Sequence, residues 1–312
     1  AACTPKPDCM FLIAGTQVIP RGVYLPGRNG FALRVGLAWR LLSTDSYVVR
    51  SAYGIFYDTT ILNTNFGSRL NPPFYPVQAF VNSGINNIQT IFDSPINFPI
   101  SFTMPENFRN AYVQQWNLGN QVEVAKGLVL DVAYVGSKGT RLPLRRDANQ
   151  PTPGGVPPYP QFTTVQQIAS IADSTYNSLQ VRAVRRYTNG LEFLAGYTWS
   201  KSIDDASQLF STAVDPGFPQ NSNNLRAERA LSDFDARHRF VASYVYQEPA
   251  LSSHFGLAGN PVLSTLLSHW TLAGTATVQT GRPFTVNRSV LQSQTGIQAY
   301  IDRPDQVSDP MK

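Results

Sequence analysis

The sequence predicts an all-β chain, an antiparallel up-and-down meander, and three observations predict it. The first is alternation. In LEFLAGYTWSKS, Leu191, Phe193, Ala195, Tyr197 and Trp199 share one side, while Glu192, Leu194, Gly196, Thr198 and Ser200 share the other. Successive side chains of a strand point to opposite faces, so this segment has one oily side and one wet side. The second is length: the alternating segments run to about ten residues, against a usual five or six. The third is an asymmetry of connections, with short turns alternating with long loops.

The elements follow in order. A first strand is predicted over about Phe31–Arg40, with Phe31, Leu33, Val35, Leu37 and Trp39 on one face. A turn through Ser43, Thr44 and Asp45 leads to a second, Tyr47–Asp58, where Val49, Tyr53, Ile55 and Tyr57 align. The segment Thr59–Glu106, rich in Asn, Pro and Phe, reads as a long loop. A third strand, Val113–Val124, turns at Ala125-Lys126-Gly127 into a fourth, Leu128–Gly136. The stretch Lys138–Ser174 carries PTPGGVPPYP and reads as a second long loop, because prolines exclude central strands. The fifth and sixth strands are YNSLQVRAVRRY from Tyr176 and the Leu191 segment, joined by TNG. A third loop, Ser202–Ser232, precedes the seventh strand, Asp235–Gln247, and the eighth is His269–Thr280.

Short turns on one side and long loops on the other are the plan of an outer-membrane β-barrel, with short periplasmic turns and longer external loops. A soluble sandwich also alternates, but its core favours Val, Ile and Leu. Here the apolar face carries Trp39, Tyr57, Trp116, Tyr134, Tyr197, Trp199, Tyr244 and Trp270, residues suited to the membrane–water boundary as an aromatic girdle. Charged residues are 14% and aromatics 12%, which excludes a disordered chain. A mean hydropathy of −0.17 suits strands that are half polar. MFLIAG at Met10 is too short to span as a helix, and no leader peptide is expected in it. The net charge of +5 does not point to nucleic acid, because the basic residues are scattered rather than gathered into a phosphate-binding patch.

Several segments resemble the Oar-like TonB-dependent receptors: YVQQWNLGNQVEVAKGLVLDVAYVGSKGTRL from Tyr112, YNSLQVRAVRRYTNGLEFLAGYTWSKSIDDAS from Tyr176, RAERALSDFDARHRFVASYVY from Arg226 and WTLAGTATVQTGRPFT from Trp270. GLAWR at Gly36 and YGIFYD at Tyr53 fit the same pattern. The resemblance implies a large barrel of roughly 22 strands, with a plug and often an N-terminal carboxypeptidase-regulatory-like sandwich. It also implies residence in the outer membrane of a Gram-negative bacterium and coupling to the TonB complex through the plug. Plug, TonB box and a terminal strand ending in an aromatic are not found in the sequence. The chain is therefore expected to be an internal, open portion of about eight strands, with residues 1–30 an extracellular loop segment and 31–312 partial barrel.

The polar positions expected on a lumen wall are Arg182, Arg186, Glu192, Arg237, Arg239 and Gln247. In SDFDARHRF, Asp235, Arg237 and Arg239 alternate, which reads as a lumen charge ladder rather than an acid/base site. No catalytic, cofactor or metal site is expected. His238, His254 and His269 lack metal-ligand spacing, and GSKGT at Gly136 lacks the spacing of a phosphate loop. Asp204, Asp205 and Asp215 with Asn221, Asn223 and Asn224 offer oxygens for Ca²⁺ but not in a spaced binding pattern. Cys3 and Cys9, close together in a Pro-rich segment of an exported chain, suggest a disulfide. The expected partners are outer-membrane lipid, the TonB complex, and an extracellular ligand such as an oligosaccharide, peptide or metal chelate. The functions in view are energised uptake and, alternatively, a structural or adhesive role at the cell surface.

Overall fold

The computed structural model describes residues 30–41, 47–59, 100–152, 155–160, 164–188, 190–209, 217–247, 270–286 and 302–304, with isolated positions between them. Eight strands form the meander: β1 (Arg34–Arg40), β2 (Tyr47–Tyr57), β6 (Tyr112–Ala125), β7 (Leu128–Asp147), β8 (Thr164–Thr188), β9 (Leu191–Asp204), β11 (His238–Gln247) and β12 (Thr271–Gln279). Short strands β3 (Gln78–Ala79), β4 (Ile96–Asn97), β5 (Ile100–Thr103) and β10 (Ala230–Leu231) lie in the connections. Each main strand pairs antiparallel with the next, and among the described residues β1 and β12 do not pair, so the sheet is open. This is the expected all-β meander.

The registers show why the alternation matters. One row across all eight strands reads Trp39, Val49, Asn120, Val132, Val181, Tyr197, Phe240 and Val278. The adjacent row, on the opposite face, reads Ala38, Arg50, Gly119, Ala133, Gln180, Thr198, Arg239 and Gln279. A slip of one residue anywhere would exchange the two faces, so the pattern pins the pairing. The apolar face is not a buried core: Trp39 is 57% and Val278 65% exposed. Some of its tyrosine hydroxyls bond across strands, Tyr134 donating to Asn177 Oδ1 at 2.6 Å and Tyr53 to Gln114 Oε1 at 2.7 Å. An apolar environment demands such pairing, since no water replaces it.

The turns obey local chemistry. The β6–β7 turn places Gly127 at φ 76°, the left-handed region that glycine enters without a Cβ clash, and its N–H donates to Glu123 Oε1 at 2.9 Å. Gly190, at φ 80°, does the same between β8 and β9.

One expectation is overturned. The segment Lys138–Ser174 is not all loop: β7 continues to Asp147 and β8 begins at Thr164, so the two rise together beyond the rest of the sheet. Pro143 is admitted because the pairing shifts there, between Gly139 and Leu142 and again between Leu142 and Pro143, with Arg141 at φ 58°. The loop after β2 returns to this hairpin, where β5 pairs in parallel with Thr164–Gln167. The buried apolar residues gather here: Phe108, Ala111, Leu144, Val165, Ile168, Ala169 and Ala172. The only packed core among the described residues thus sits beyond the sheet, at the end where the long loops meet.

Candidate functional site

That loop end is held by buried polar residues. Asp147, at the tip of β7, accepts from the N–H groups of Asn149 at 2.8 Å and Val165 at 3.0 Å, and its own N–H donates to Ser222 Oγ. Asn149 accepts from the Tyr159 N–H and donates to the Phe162 carbonyl, each at 2.7 Å, which folds the hairpin loop onto itself. Gln150 reaches across to the β9–β11 connection: its amide donates to the Gln220 carbonyl at 2.9 Å and its Oε1 accepts from the Ser222 N–H at 2.7 Å. Asp147, Asn149 and Gln150 are all buried, so each lost bond would strand a buried partner.

A second latch comes from beyond β12. Arg303 donates to Gln220 Oε1 at 2.8 Å and pairs with Glu228 at 3.0 Å. Glu228 lies in the single turn Leu225–Glu228, and burial pushes its carboxyl above the usual range against the pull of Arg303. At the head of β9, Asp204 lies with both oxygens 3.0 Å from Ser207 Oγ. Burial raises its pKa, and the charges of Asp233 and Asp205 add to the effect. Asp205 pairs with Arg229 at 3.4 Å, and Asp233 accepts from the Gln208 side-chain amide.

Between these segments lies a cavity of about 420 Å³. Its walls include Leu144 and Arg145 from β7, the turn after β9, Phe218, and Phe284 from the segment after β12. The Arg145 guanidinium lies over the Phe218 ring, 4.2 Å from its centroid.

The residues that sequence reasoning singles out are not brought together here. Arg182, Glu192, Arg239 and Gln247 fall on the polar face of the sheet, Arg182 within 3.4 Å of Asp131 and Gln247 accepting from the Tyr187 hydroxyl at 2.7 Å. Arg186 lies beside the Gly127 turn, donating its N–H to the Gly127 carbonyl, while Arg237 lies at the opposite end beside Ser200. The six are strung along the height of the strands, not convergent. Asp235 is no part of a strand ladder: it precedes β11, is buried, and accepts from the Ser202 N–H at 2.7 Å. His238 lies on the apolar face with Nδ1 2.7 Å from the Tyr197 hydroxyl.

Trp39, Tyr57, Trp116, Tyr134, Tyr197, Trp199 and Tyr244 share the apolar face, with Trp270 just ahead of β12. Asp215, His254, His269, Cys3 and Cys9 lie outside the described residues. Asp147, Gln150, Glu228 and Arg303 escape sequence reasoning because each is an ordinary polar residue until the loops close. The one available signal is Thr164–Asp173, free of Pro and Gly and carrying Val165, Ile168 and Ile171.

Among the described residues the sheet is open at both edges and oily on one face across eight strands, as in a membrane barrel, and the outer membrane beta barrel domain family matches residues 5–312. The chain belongs to this family. It is therefore a β-barrel domain of the Gram-negative outer membrane, and not a member of an enzyme family. No curated protein sequence matches it.

Among solved structures, the outer membrane transporter YddB from Escherichia coli is 10% identical with a TM-score of 0.49, covering 83% of this barrel chain and 30% of its own. The siderophore receptor PirA from Pseudomonas aeruginosa is 12% identical with a TM-score of 0.41, covering 81% and 34%. The FpvAI–pyocin S2 complex is 14% identical with a TM-score of 0.41, covering 80% and 23%. The chain thus spans about a third or less of the length of these structures.

Proposed function

We propose that this barrel chain belongs to an energised outer-membrane receptor of the Oar-like, TonB-dependent kind, in which the loop end captures a ligand and the polar face lines the route inward. The carrying observation is the interlocked loop end itself. A barrel that merely filled the membrane would not need a hairpin carried beyond the sheet, a packed core there, and a cavity walled by β7, the β9–β11 connection and the segment after β12. Recognition usually falls to loops placed by a rigid scaffold, and β7–β8 supplies one. Long loops of such barrels face outward, which puts the cavity on the cell exterior.

The polar face supports the same reading. Arg50, Gln180, Thr198, Arg239 and Gln279 form a wettable row that needs water or a polar filling, whereas the apolar face with its aromatics suits lipid. Arg182, Arg186, Glu192, Arg237, Arg239 and Gln247 are proposed as wall positions, Trp39 to Trp270 as the girdle, and a plug as the link to TonB.

The test is uptake of radiolabelled oligosaccharides, peptides and metal chelates by cells with and without the gene and with and without TonB. Accumulation that requires both supports the proposal. Indifference to TonB, together with loss of cell–cell cohesion on deletion, would replace it with adhesion.

A further inference from the structure

The apolar face changes character at its outer end. Lys138 on β7, Asn177 on β8, Lys201 on β9 and His238 on β11 stand on that face, one on each of four successive strands, and all four are exposed. A charge on a lipid-facing strand is costly at the bilayer midplane and nearly neutral at the interface, so these positions belong at headgroup depth. Lysine stems reach outward from the apolar surface to keep the ammonium group there.

Their register places them at one depth. In a sheet tilted by roughly 40°, a line parallel to the membrane shifts by about 1.2 residues for each strand crossed. The aromatics give its direction. The outermost falls from Tyr57 on β2, in the row of Thr140 of β7, to Phe240 on β11, in the row of Val132. The four polar residues descend the same way. Referred to β7, Lys138 begins the line, Asn177 and Lys201 stand in the row of Gly136, and His238 stands in the row of Tyr134. The fall from Lys138 to Tyr134 over three strand steps is close to the slope that tilt requires.

The girdle holds these groups ready. Tyr134 donates to Asn177 Oδ1 at 2.6 Å, which leaves the Asn177 amide nitrogen to donate elsewhere. The Tyr197 hydroxyl lies 2.7 Å from His238 Nδ1, which leaves Nε2 for a ligand. The Trp116 indole lies over Gly136, so a flat ring covers β7 one step inward of Lys138. Neither the Lys138 nor the Lys201 ammonium forms an ion pair among the described residues. Arg141 adds positive charge outward of Lys138, its guanidinium 5.9 Å from the Tyr112 ring centroid. The β8 carboxylate, Asp173, stands off the line, four residues outward of Asn177.

We infer that Lys138, Asn177, Lys201 and His238 bind the phosphate groups of the outer-leaflet glycolipid, lipopolysaccharide, with its acyl chains lying on Leu179, Phe240 and Val278 below. Two ammonium groups interleaved with neutral donors match the charge and the oxygens of phosphate, and a neutral lipid would leave them unmatched. The apolar surface beneath is open to the chains, Leu179, Phe240 and Val278 all being exposed. The inference goes beyond the receptor reading and takes from it only the outward orientation of the loop end.

The test is native mass spectrometry of the intact protein in detergent, titrated with purified lipopolysaccharide, with the same lipid stripped of its phosphates, and with phosphatidylglycerol. The phosphorylated glycolipid should stay bound, and the stripped lipid should bind roughly tenfold or more weakly. The double variant Lys138→Gln, Lys201→Gln should lose a similar factor while keeping its heat-modifiable gel shift. Arg185→Gln, at the inner end of the same face, should bind as the natural protein does. Equal binding of the stripped lipid, full affinity in the double variant, or an equal loss in Arg185→Gln overturns the site. Phosphatidylglycerol binding as tightly as the glycolipid overturns the choice of lipid. Binding that follows phosphate and the lysines, while ligand uptake ignores TonB, upholds the site and removes the receptor reading instead.

Discussion

The sharpest consequence of the two-faced sheet is what a single charge should do on each face. Ala195 stands on β9 in a row with Ala183, Ala242 and Ala276, flanked on its own strand by Phe193 and Tyr197. Eight residue steps separate Leu191 from Trp199, the ends of the apolar run, and Ala195 is their midpoint. At about 3.4 Å per residue that run is about 27 Å along the strand, and a tilt of roughly 40° reduces it to about 20 Å of membrane depth. Ala195→Arg therefore places a guanidinium near the bilayer midplane, which costs about 2 to 4 kcal/mol in a lipid-facing strand. That is roughly a 30- to 900-fold loss in the folding equilibrium. Ser243→Arg is the matched control, because Ser243 lies on the polar face opposite Leu194 and Thr275 and should change stability by less than about 1 kcal/mol. The assay is folding of the intact protein into vesicles, read as the heat-modifiable shift on unboiled gels across a urea series. Equal folding of the two variants would refute the facing.

Other consequences concern the loop end and the turns. Asp147→Ala leaves the buried N–H groups of Asn149 and Val165 without their carboxylate, at about 1 to 3 kcal/mol each, so protease should cut faster within 148–163 while the strands stay protected. Gly127→Val forces a branched side chain into φ 76° and should lower stability by about 1 to 3 kcal/mol in urea melts, whereas Gly127→Asn should lower it less. The carboxyls of Asp147, Asp204 and Glu228 are all raised in the folded state, chiefly by burial. A raised carboxyl contributes stability at low pH that is lost as pH climbs through its folded value. Protease resistance of the loops should therefore hold or increase from pH 7.5 to pH 5, and a steep loss across that interval would contradict the burial.

The membrane part of the fold is readable in the residues because lipid imposes a simple rule. Leu191, Phe193, Ala195, Tyr197 and Trp199 must all face one way, and a period of two is visible without knowing any partner strand. The long hairpin escapes that rule. Gly139, Arg141 and Pro143 break the alternation at the point where β7 shifts register, and beyond it the strands face protein rather than lipid, so Leu144 is buried just ahead of the charged run Arg145-Arg146-Asp147. The candidate site is harder still to read. Asp147, Gln150, Gln220, Glu228 and Arg303 come from connections far apart in the chain, and none belongs to a spaced motif. Their meaning arises only when the loops close over one another.

Ligand capture from outside requires the loop end, with its cavity, to face the medium and the Lys126–Gly127 turn to face the periplasm. Single cysteines at Phe284 and Lys126, introduced as Phe284→Cys and Lys126→Cys into a Cys3→Ser, Cys9→Ser background, test this with a membrane-impermeant maleimide on whole cells. Phe284→Cys should label in intact cells, and Lys126→Cys only after the outer membrane is permeabilised. Labelling of Lys126→Cys in intact cells, with Phe284→Cys protected, would contradict the orientation and remove the basis for capture by the loops.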